Sequence, residues 1–565
     1  MINKIKNIFN VFVKEERKKF VTLYIFSILA SLLEVVGFGA LFSLIYIIIE
    51  GNNSIFNEYI LNFKFFLSST GNINIQNLSY FIFIIFIIKI IITFLIHIYR
   101  VSFFAELNYQ LSKRLLVNYL DKNYSFFFKN NSAKISQNIT HEVELLINRL
   151  VQPFVNVSTE LFFLSIFLIT IFYKFKMGVF FLVFFFLFFL LFHRYINNLS
   201  VSYGMTRRDN DLKKVKLLKD IFNLIKQVKI QNLENLLLNK YLKTNFKSID
   251  AMKKFNIMEK IPFTILETII VSLSIFFIIY FVSQNAIDVL LVNFSIFTII
   301  VVRSVPSINK ISSGITSINY SYPIIIKFIS QIGKKYKLST KKNFKMFNFK
   351  KNFVLNNISY SYPNSKTIFK DLTLDIKKNS IIGIYGKSGA GKTTFVDLLV
   401  GLIDPTKGNL IIDNSKNKAI RKIGYLTQNT HIFDESLEYN IALESSNNNI
   451  NREKIIDCIK MSELNYLFKK NKLNIKSKIG ENGIKISGGE KQRIGLARLF
   501  YGDYSFLIFD EATSSLDVNN EVKIMKTIKK LSKNKTVIII SHNKRNLNFC
   551  EKIYEIKNLK LNKIK

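Results

Sequence analysis

The stretch that decides the fold is Gly386-Lys387-Ser388-Gly389-Ala390-Gly391-Lys392-Thr393-Thr394. It matches the pattern G-x-x-x-x-G-K-[ST], in which glycines let backbone N–H groups approach a phosphate closely. The apolar run Ile381–Tyr385 precedes it and predicts a buried strand, and helical spacing follows it. A loop between a strand and a helix N-terminus is the context that the pattern requires. The stretch predicts nucleotide binding, with Lys392 at the β- and γ-phosphates and Thr393 on Mg²⁺.

A pair of carboxylates lies downstream, where the apolar run Phe506–Phe509 ends in Asp510 and Glu511. A buried strand that delivers two acids at its end suits phosphoryl transfer, because one acid holds Mg²⁺ and the other polarises the attacking water. We assign the metal to Asp510 and the water to Glu511. The pattern is specific only because it follows a phosphate loop in the same chain.

The composition divides the chain into two unlike parts. At 565 residues it is too long for one ordinary domain, and its long apolar runs are concentrated before residue 310. The net charge of +40 would suit nucleic acid, but Lys is spread along the chain and a coding bias towards Asn, Lys and Ile accounts for it at least as well. In a membrane protein much of the excess can also lie at an anionic lipid surface. The two cysteines, Cys458 and Cys550, predict a reducing compartment, with no disulfide framework or metal-ligand spacing.

Six apolar stretches are long enough to cross a bilayer. They are Val21–Ile49, Leu78–Tyr99, Val151–Tyr173, Met177–Tyr195, Ile261–Val282 and Ala286–Val305. The connections Arg100–Arg149 and Ser200–Lys260 are long and basic, which places them and both termini in the cytoplasm. Both keep a helical pattern, so we expect helices that project beyond the bilayer and join at tips. Candidate tip helices are Asn123–Asn131 and Phe222–Lys229.

The remaining segments complete a four-part organisation. Residues 1–20 predict an interfacial elbow helix, 21–319 a six-helix transmembrane domain, 320–349 a Lys-rich linker and 350–565 an α/β ATP-binding domain. The outer connection Gly51–Leu67 has apolar residues at helical spacing. It is either an amphipathic helix on the outer surface or a plain connector.

Four ionisable residues interrupt the apolar spans: Glu34, Lys89, Glu267 and Arg303. Charge is costly in hydrocarbon, so such groups usually face a cavity or pair with one another. One interpretation is a polar cavity in which Lys89 and Arg303 receive an anionic head group. The other is a set of structural ion pairs or of side chains that reach the interface.

Residues 353–565 resemble the ATPase domain of ABC transporters. The stretch Ile486-Ser487-Gly488-Gly489-Glu490 matches the family signature Leu-Ser-Gly-Gly-Gln, with Ile and Glu as departures. Glu490 adds negative charge near the nucleotide and leaves its effect on the ATPase rate open. Further matches are the adenine-stacking aromatic Tyr362, the glutamine Gln428, the D-loop Ser514-Ser515-Leu516-Asp517 and the switch histidine His542.

This resemblance implies that two copies of the domain sandwich ATP. The phosphate loop would act from one side, and Ser487, Gly488 and Gly489 from the other. One chain supplies one of each, so a homodimer with ATP and Mg²⁺ is expected. The resemblance further implies that Glu511, His542 and Gln428 form the catalytic group, with Gln428 also at the metal.

Over the whole chain the resemblance is to a half-size exporter, a membrane α-helical bundle fused to an α/β P-loop ATPase domain. Glu34, Lys89, Arg303 and the outer segment resemble those of bacterial lipid-linked oligosaccharide flippases, in which basic cavity residues receive the pyrophosphate. We therefore expect ATP-driven export or flipping of a lipid-linked saccharide across the bacterial inner membrane, with the ATPase domain cytoplasmic. The alternatives are a lipid A-like or multidrug exporter and, more distantly, a non-transporting ABC ATPase that acts on nucleic acid.

Overall fold

The computed structural model divides the chain into two compact units. Unit 1 comprises Met1–Lys122 and Phe127–Ser339, and unit 2 comprises Asn123–Phe126 and Thr340–Lys565. The structure describes residues 9, 11–50, 75–174, 178–283, 304–322, 326, 329, 331–333, 349–362, 366–413, 415–416, 423–443, 450–466, 474–480, 486–512 and 517–565. The boundary near residue 339 falls inside the segment predicted as a linker.

Unit 1 is built from long helices. The helices are α1 (Lys14–Glu50), α2 (Ile75–Leu120), α3 (Tyr124–Lys129, shared with unit 2), α4 (Ser132–Gln137), α5 (Val143–Leu146), α6 (Gln152–Lys174), α7 (Gly178–Asn223), α8 (Ile225–Ile230) and α9 (Glu234–Ser283). Residues 304–322 form a further helix, α10. Two π-helical turns, Asn138–Glu142 and Ile147–Val151, flank α5.

The long helices cover five of the six predicted spans. The sixth, Ala286–Val305, falls almost entirely outside the described residues, so the count of six stays a prediction. Among the residues that the structure describes, two helical stretches are long and apolar enough to cross a membrane, Lys14–Gly37 and Ser79–Leu120. Helix α2 has 46 residues and is about 69 Å long at 1.5 Å per residue, well beyond a hydrocarbon core of about 30 Å. Helix α2 is therefore long enough to cross a bilayer and to extend beyond it, as expected from the sequence.

The two ends of α2 have opposite surfaces. Towards its N-terminus large apolar side chains are exposed, among them Phe83 and Phe94. Towards its C-terminus Leu107, Leu111 and Leu115 are buried at four-residue spacing, so they form one stripe. Exposed apolar side chains suit contact with lipid, whereas a single buried stripe suits packing in water.

The elbow helix predicted over residues 1–20 falls in part outside the described residues, which here are 9 and 11–20. Residues 14–20 belong to α1, which runs unbroken from Lys14 to Glu50. The charged run before Val21 consists largely of good helix formers, with Glu15 and Glu16 in the first turn, where acids favour the helix dipole. The charged run therefore lies within α1.

Within the residues that the structure describes, unit 2 carries ten strands and five α-helices, with a short 3-10 helix at Lys544–Leu547. The strands are β1 (Asn352–Ser361), β2 (Thr367–Lys377), β3 (Ile381–Tyr385), β4 (Lys407–Ile412), β5 (Ser415–Lys416), β6 (Gly424–Leu426), β7 (Phe506–Asp510), β8 (Thr536–Ser541), β9 (Lys552–Lys557) and β10 (Lys560–Lys563). The helices are α11 (Lys392–Leu399), α12 (Leu437–Ala442), α13 (Arg452–Met461), α14 (Gly488–Tyr501) and α15 (Val518–Leu531).

Two sheets organise unit 2. One is antiparallel with the order β2-β1-β4-β5, and the other has the order β10-β9-β3-β8-β7-β6. The five strands from β9 to β6 are parallel, and β7 and β8 are buried along their whole length. Apolar β-branched runs form such strands because helices cover both faces of a parallel sheet. The α/β domain with a largely parallel sheet, expected from the sequence, is present.

Both candidate tip segments contain helices, α3 and α8. Residues 123–126, at the start of α3, belong to unit 2. Several predicted features lie outside the described residues: Gly51–Leu67, Arg303, D-loop residues 514–516 and most of the linker 320–349.

Candidate nucleotide-binding site

The parallel sheet brings the predicted catalytic residues to one edge. Strands β3, β7 and β8 end at Tyr385, Asp510 and Ser541, and their registers pair Tyr385 with Ser541 and Asp510 with Ile540. The residues that follow parallel strands meet outside their carboxyl ends, where open α/β sheets bind ligands. The phosphate loop, Glu511 and His542 therefore become neighbours although they are far apart in sequence.

The phosphate loop has the backbone that its glycines allow. Gly389 and Gly391 have φ of 78° and 98°, in the left-handed region that favours glycine. A β-carbon at Gly391 would lie 2.8 Å from Ile368 Cγ2, so the position also excludes side chains sterically. Gly391 caps α11, whose N-terminal N–H groups and dipole favour an anion. This loop has the geometry that cradles phosphate.

Lys392 folds back over this loop. Its Nζ donates to the Gly386 carbonyl oxygen at 2.9 Å and lies 3.6 Å from Glu511 Oε1. Thr393, the next residue, is exposed. A cation over the loop and a free-standing hydroxyl beside it match the roles predicted for phosphate and Mg²⁺.

The Glu511 carboxylate is the centre of the site. Gln428 Nε2 donates to its Oε2 at 2.7 Å, and His542 Nδ1 lies 3.1 Å from its Oε1. With Lys392, three of the residues predicted from sequence contact one carboxylate. The Glu511 side chain is only 10% exposed, whereas that of His542 is 57% exposed. A buried carboxylate such as Glu511 can polarise a water molecule. An exposed histidine beside it, such as His542, can contact the γ-phosphate of a bound nucleotide.

Glu511 also has a strained backbone. Its φ is 52°, which is uncommon for a residue with a β-carbon. Its N–H donates to the Ile540 carbonyl at 3.0 Å, and its own carbonyl accepts from Gln492 Nε2 at 3.3 Å. These two bonds hold the strained conformation, and such strain costs about 1–3 kcal/mol. Gln492 lies two positions after the signature and supports the Glu511 backbone. Its position in the sequence alone did not indicate this role.

Asp510 is the better candidate for the metal. It is buried, and burial raises the pKa of its carboxyl, an effect that a hydrogen bond from Tyr425 opposes. The Tyr425 hydroxyl donates to Asp510 Oδ2 at 3.1 Å. Nearby Asp397 is also buried, and burial and the charge of Asp510 raise its pKa to about 6. Carboxylates held in so little water favour a nearby cation.

This donor set fits Mg²⁺. Mg²⁺ is usually held by one or two carboxylates, substrate phosphates and water rather than by a cage of protein ligands. In the part of the chain that the structure describes, no three His, Cys, Asp or Glu residues form a metal-binding group. Asp510 and the Thr393 hydroxyl would hold Mg²⁺ together with nucleotide phosphates. Gln428 contacts Glu511, the residue next to Asp510.

Tyr362 lies just after β1. Its hydroxyl is 3.2 Å from Thr394 Oγ1, and its ring packs edge-on against Tyr360 at 5.1 Å between centroids. The first contact ties it to the phosphate-loop helix. Its predicted role as the adenine platform stays a prediction.

The signature opens helix α14. Ser487 caps this helix, and its hydroxyl accepts from Glu490 N–H at 3.3 Å while Glu490 Oε2 accepts from Ser487 N–H at 2.6 Å. This reciprocal arrangement is a capping box. Ser487 and Gly488 are exposed, and a β-carbon added at Gly488 would meet nothing within 4 Å. The helix therefore presents its N-terminus to solvent.

Glu490 has a local role that explains the departure from the family pattern. Its Oε1 accepts from the Tyr466 hydroxyl at 2.8 Å, and the Arg493 guanidinium lies 4.7 Å from the Tyr466 ring. Hydrogen bonds from Ser487 and Tyr466 and the charge of Arg493 lower the pKa of Glu490 against its burial. The added negative charge is therefore compensated within α14 and the segment before it.

One predicted set is not assembled within the chain. Among the described residues, none of the contacts of Ser487 or Gly488 joins them to Lys392 or Glu511. Asp517, at the end of the D-loop, caps α15 and accepts from the Asn520 side chain at 2.7 Å. The signature thus stands apart from the phosphate loop of its own chain, as the sandwich arrangement would require.

The candidate cavity residues are only partly described. Glu34 and Lys89 are half-buried, and the Lys89 side chain passes 3.6 Å from a β-carbon built at Gly37, one turn beyond Glu34. Lys89 Nζ also lies 5.0 Å from the centre of the Phe86 ring. Glu267 is exposed on α9. A cavity formed by Glu34, Lys89 and Arg303 stays a prediction.

A nucleotide site of this geometry at the edge of a parallel sheet defines a P-loop ATPase domain, and the same chain carries a second unit of long helices. Residues 369–514 match the family model of the ABC transporter, and this part of the chain is an ABC ATPase domain. The expected ATPase is confirmed at this level.

Two relatives illustrate the match. The putative multidrug export ATP-binding/permease protein YgaD of Bacillus subtilis is 32% identical over 209 residues, 36% of this chain and 36% of the relative. The glutathione/L-cysteine transport system ATP-binding/permease protein CydC of Haemophilus influenzae is 33% identical over 212 residues, 36% of this chain and 37% of the relative. The chain thus matches little more than a third of the length of these curated relatives.

A solved structure extends the likeness to the whole chain. The structure of a bacterial Atm1-family ABC exporter with ATP bound superposes with a TM-score of 0.76 and covers 98% of this chain and 95% of that one, at 17% identity. The chain therefore has the ABC exporter fold.

Proposed function

We propose that the protein is a homodimeric exporter of the cytoplasmic membrane that uses ATP hydrolysis to move an amphipathic substrate outward. The observation that carries this proposal is the Glu511 carboxylate, which receives Gln428 at 2.7 Å and lies 3.1 Å from His542 in a chain with the exporter fold. A complete set of hydrolytic groups favours a transporter that hydrolyses ATP over a channel that ATP only gates.

Each residue has a defined task in hydrolysis. Lys392 and the loop N–H groups would hold the phosphates, and Asp510 with Thr393 would hold Mg²⁺, which neutralises the charge that develops on them. Glu511 would orient and polarise the attacking water, and His542 and Gln428 would fix that carboxylate. The strained Glu511 backbone supports this assignment, because such strain is concentrated at functional sites.

The homodimer follows from the separation of the signature from its own phosphate loop. The exposed N-terminus of α14 would donate to the phosphates bound by a second copy through Ser487, Gly488 and Gly489. Closure on ATP and reopening after hydrolysis would then move the tip segments. Tyr124, in the tip segment that packs with unit 2, lies within electrostatic reach of Asp397 on the phosphate-loop helix, which supports such a route.

For the substrate we propose a lipid-linked, anionic saccharide precursor. The basic residues in apolar sequence, Lys89 and Arg303, and the apolar spacing of the outer segment support it. A multidrug or lipid A-like substrate is the second candidate, favoured by the relative YgaD, whose printed name is a putative multidrug exporter. A nucleic-acid function would require the chain to work away from membranes. The exposed apolar side chains on its long helices argue against that.

The test is a reconstitution in liposomes. Purified protein receives a fluorescent polyprenyl-pyrophosphate oligosaccharide, and loss of label from the outer leaflet is followed with ATP. Only molecules with their ATPase domains outside respond, and for these, transport outward from the cytoplasmic side moves label inward. We expect ATP-dependent loss in the wild type and none in Glu511→Gln.

Two results would change the proposal. Robust ATPase without movement of this lipid would keep the exporter and discard the substrate, and lipid A-like and drug-like cargo would be tried next. Movement of the labelled lipid that persists in Glu511→Gln would show that transport does not require hydrolysis at Glu511, and it would contradict the proposed ATP-driven mechanism.

A further inference from the structure

Tyr425 and Asp510 lie on the same face of the parallel sheet. Strands β6 and β7 pair Tyr425 with Ile508, and Asp510 is two residues beyond Ile508 on β7. Side chains alternate between the two faces of a strand, so these three share one face. Ile508 belongs to the hydrophobic cluster that also contains Phe395 of α11, and Tyr425 packs against that cluster. The phenol of Tyr425 therefore lies on the face that the phosphate-loop helix covers.

The Tyr425 hydroxyl holds one oxygen of the Asp510 carboxylate. The distance from this hydroxyl to Asp510 Oδ2 is 3.1 Å, and Asp510 is only 6% exposed. An ionised carboxylate can only accept, so the phenol is the donor. Among the described residues, no hydrogen-bond donor reaches the other oxygen, Oδ1. One oxygen is thus held by the protein, and the other is left for a cation or for water bound to a cation.

A second buried carboxylate makes this support necessary. Asp397 on α11 is 5% exposed, and it is close enough to Asp510 for the charge of Asp510 to act on it. Two acids in so little water repel each other and attract a cation. Without a donor on Oδ2, this repulsion would favour other orientations of the Asp510 side chain.

The segment that carries Tyr425 contacts the second acid of the site as well. Gln428, three residues after Tyr425, donates to Glu511 Oε2 at 2.7 Å. Two side chains of one short segment therefore contact two consecutive acids. Gly424 lets this segment approach, because a β-carbon there would lie 2.7 Å from the side chain of a β7 leucine.

We propose that Tyr425 is a positioning residue for the divalent cation, which holds Asp510 Oδ2 so that Oδ1 faces the metal and Mg²⁺ is preferred. The inference rests on the assignment of Mg²⁺ to Asp510 in the proposed function, and it adds the residue that orients this ligand. Mg²⁺ requires nearly octahedral geometry, whereas Ca²⁺ accepts flexible arrangements of oxygens. An oriented carboxylate therefore favours Mg²⁺ more than a carboxylate that can turn. Tyr425 acts only through Asp510.

The test measures metal binding by the full-length protein in detergent, with Glu511→Gln as the background that prevents turnover. ATP is kept below the protein concentration so that nearly all of it is bound. Mn²⁺ is titrated and followed by electron paramagnetic resonance, and Mg²⁺ and Ca²⁺ then compete with it. Tyr425→Phe removes only the hydroxyl. We expect the Mg²⁺ affinity to fall about tenfold, as is usual when a group that orients a metal ligand is lost. The Ca²⁺ affinity should fall less, so that the preference for Mg²⁺ decreases several-fold.

The matched control is Tyr501→Phe. The Tyr501 hydroxyl accepts from the Asn451 N–H at 3.2 Å, so this substitution also removes one hydrogen-bonded phenol hydroxyl from unit 2. Its partner is backbone and not an acid of the site. The control should change neither metal affinity. Nucleotide affinity in EDTA should be the same in the background protein, in Tyr425→Phe and in Tyr501→Phe.

A residue that acts through another loses its effect when the other is removed. Asp510→Ala should lower the Mn²⁺ affinity by itself, and adding Tyr425→Phe should cause little further loss. A loss of the same size with and without Asp510 would overturn the inference. Equal weakening of Mg²⁺ and Ca²⁺, or no change in metal affinity in Tyr425→Phe, would also overturn it. A lower nucleotide affinity in EDTA would show a structural role instead.

Failure of the underlying assignment has a different result. If Asp510→Ala leaves the Mn²⁺ affinity unchanged, Asp510 does not hold the metal and the assignment itself is wrong. If Asp510→Ala lowers that affinity and Tyr425→Phe does not, the assignment stands and the positioning role of Tyr425 fails. Neither result depends on transport.

Discussion

Two buried carboxylates, Glu511 in unit 2 and Glu160 in unit 1, have similar surroundings on very different supports. Each is about one-tenth exposed and each faces a lysine. Glu511 follows a strand of a parallel sheet, and the bonds of Ile540 and Gln492 fix its backbone. Glu160 is carried by one helix, α6, and Ser307 and Lys310, which contact it, lie on another helix, α10.

The difference concerns what each support permits. A sheet joined by backbone hydrogen bonds keeps its strand ends in register, so the chemistry at Glu511 can be preorganised. Helices that touch through side chains can shift relative to one another at smaller cost. We therefore expect substitutions at the ATP site to act on the rate of hydrolysis.

The largest effect should come from Glu511→Gln. The amide keeps the size of the side chain and an oxygen for Gln428, but it loses the charge that polarises water. Hydrolysis should fall by about 10²–10⁴-fold, the usual contribution of a positioned base. Phosphate release measures the rate, and nucleotide binding with Mg²⁺ should change little. Sustained hydrolysis in this variant would remove Glu511 from its assigned role.

A smaller effect is expected at Glu490. Glu490→Ala removes the capping box and the acceptor of Tyr466, which should destabilise the start of α14 by about 1 kcal/mol. Because Ser487 and Gly489 lie there, ATP hydrolysis should fall several-fold, mostly through a higher KM for ATP. Glu490→Gln restores the family residue and the acceptor, so its steady-state kinetics should remain close to wild type. Equal losses in both variants would mean that the negative charge itself is required.

An effect on stability alone, with no change in chemistry, is a pH dependence at Asp397. Folding raises the pKa of this carboxyl from its ordinary value of 3.8 to about 6, so the folded state binds more protons and loses stability as pH rises through that window. Asp397→Asn removes this loss. Without nucleotide or Mg²⁺, the gap in thermal unfolding temperature between variant and wild type should widen from pH 4 to 7, by the equivalent of roughly 1–3 kcal/mol. A gap that is constant with pH would show that the Asp397 proton is not linked to folding.

The sequence predicted the ATP site more completely than the helical unit for a physical reason. Phosphate binding needs glycines at fixed spacing, and hydrolysis needs acids at strand ends, so Gly391, Asp510 and Glu511 can be assigned from local pattern. Their supporters, Tyr425 and Gln492, are ordinary residues whose importance appears only when strands β6 and β7 and helix α14 meet. Residues 14–20, which the sequence assigned to an interfacial helix, belong to α1, because a charged run has the same pattern whether or not the helix continues.

In the helical unit, charge in apolar sequence drew attention to Glu34, Lys89 and Arg303. Arg100 and Lys310 lie where the predicted spans meet polar sequence, so their charge did not mark them as unusual. Glu160 is a single acid in an apolar run. Helical spacing gives the face of a helix but not its neighbour, since packing of several helices has many solutions.

The sequence by itself determined that the chain binds a nucleotide through a phosphate loop, has two unlike parts and carries acids at the end of a strand. These are local demands, and local patterns record them. Only the tertiary structure decided that Gln428, His542 and Lys392 contact one carboxylate, that Ser487 and Tyr466 hydrogen-bond to Glu490, and that Lys310 on α10 meets Glu160 on α6. Such contacts depend on strand register and helix packing, which link residues distant in sequence and leave little trace in any single stretch of it.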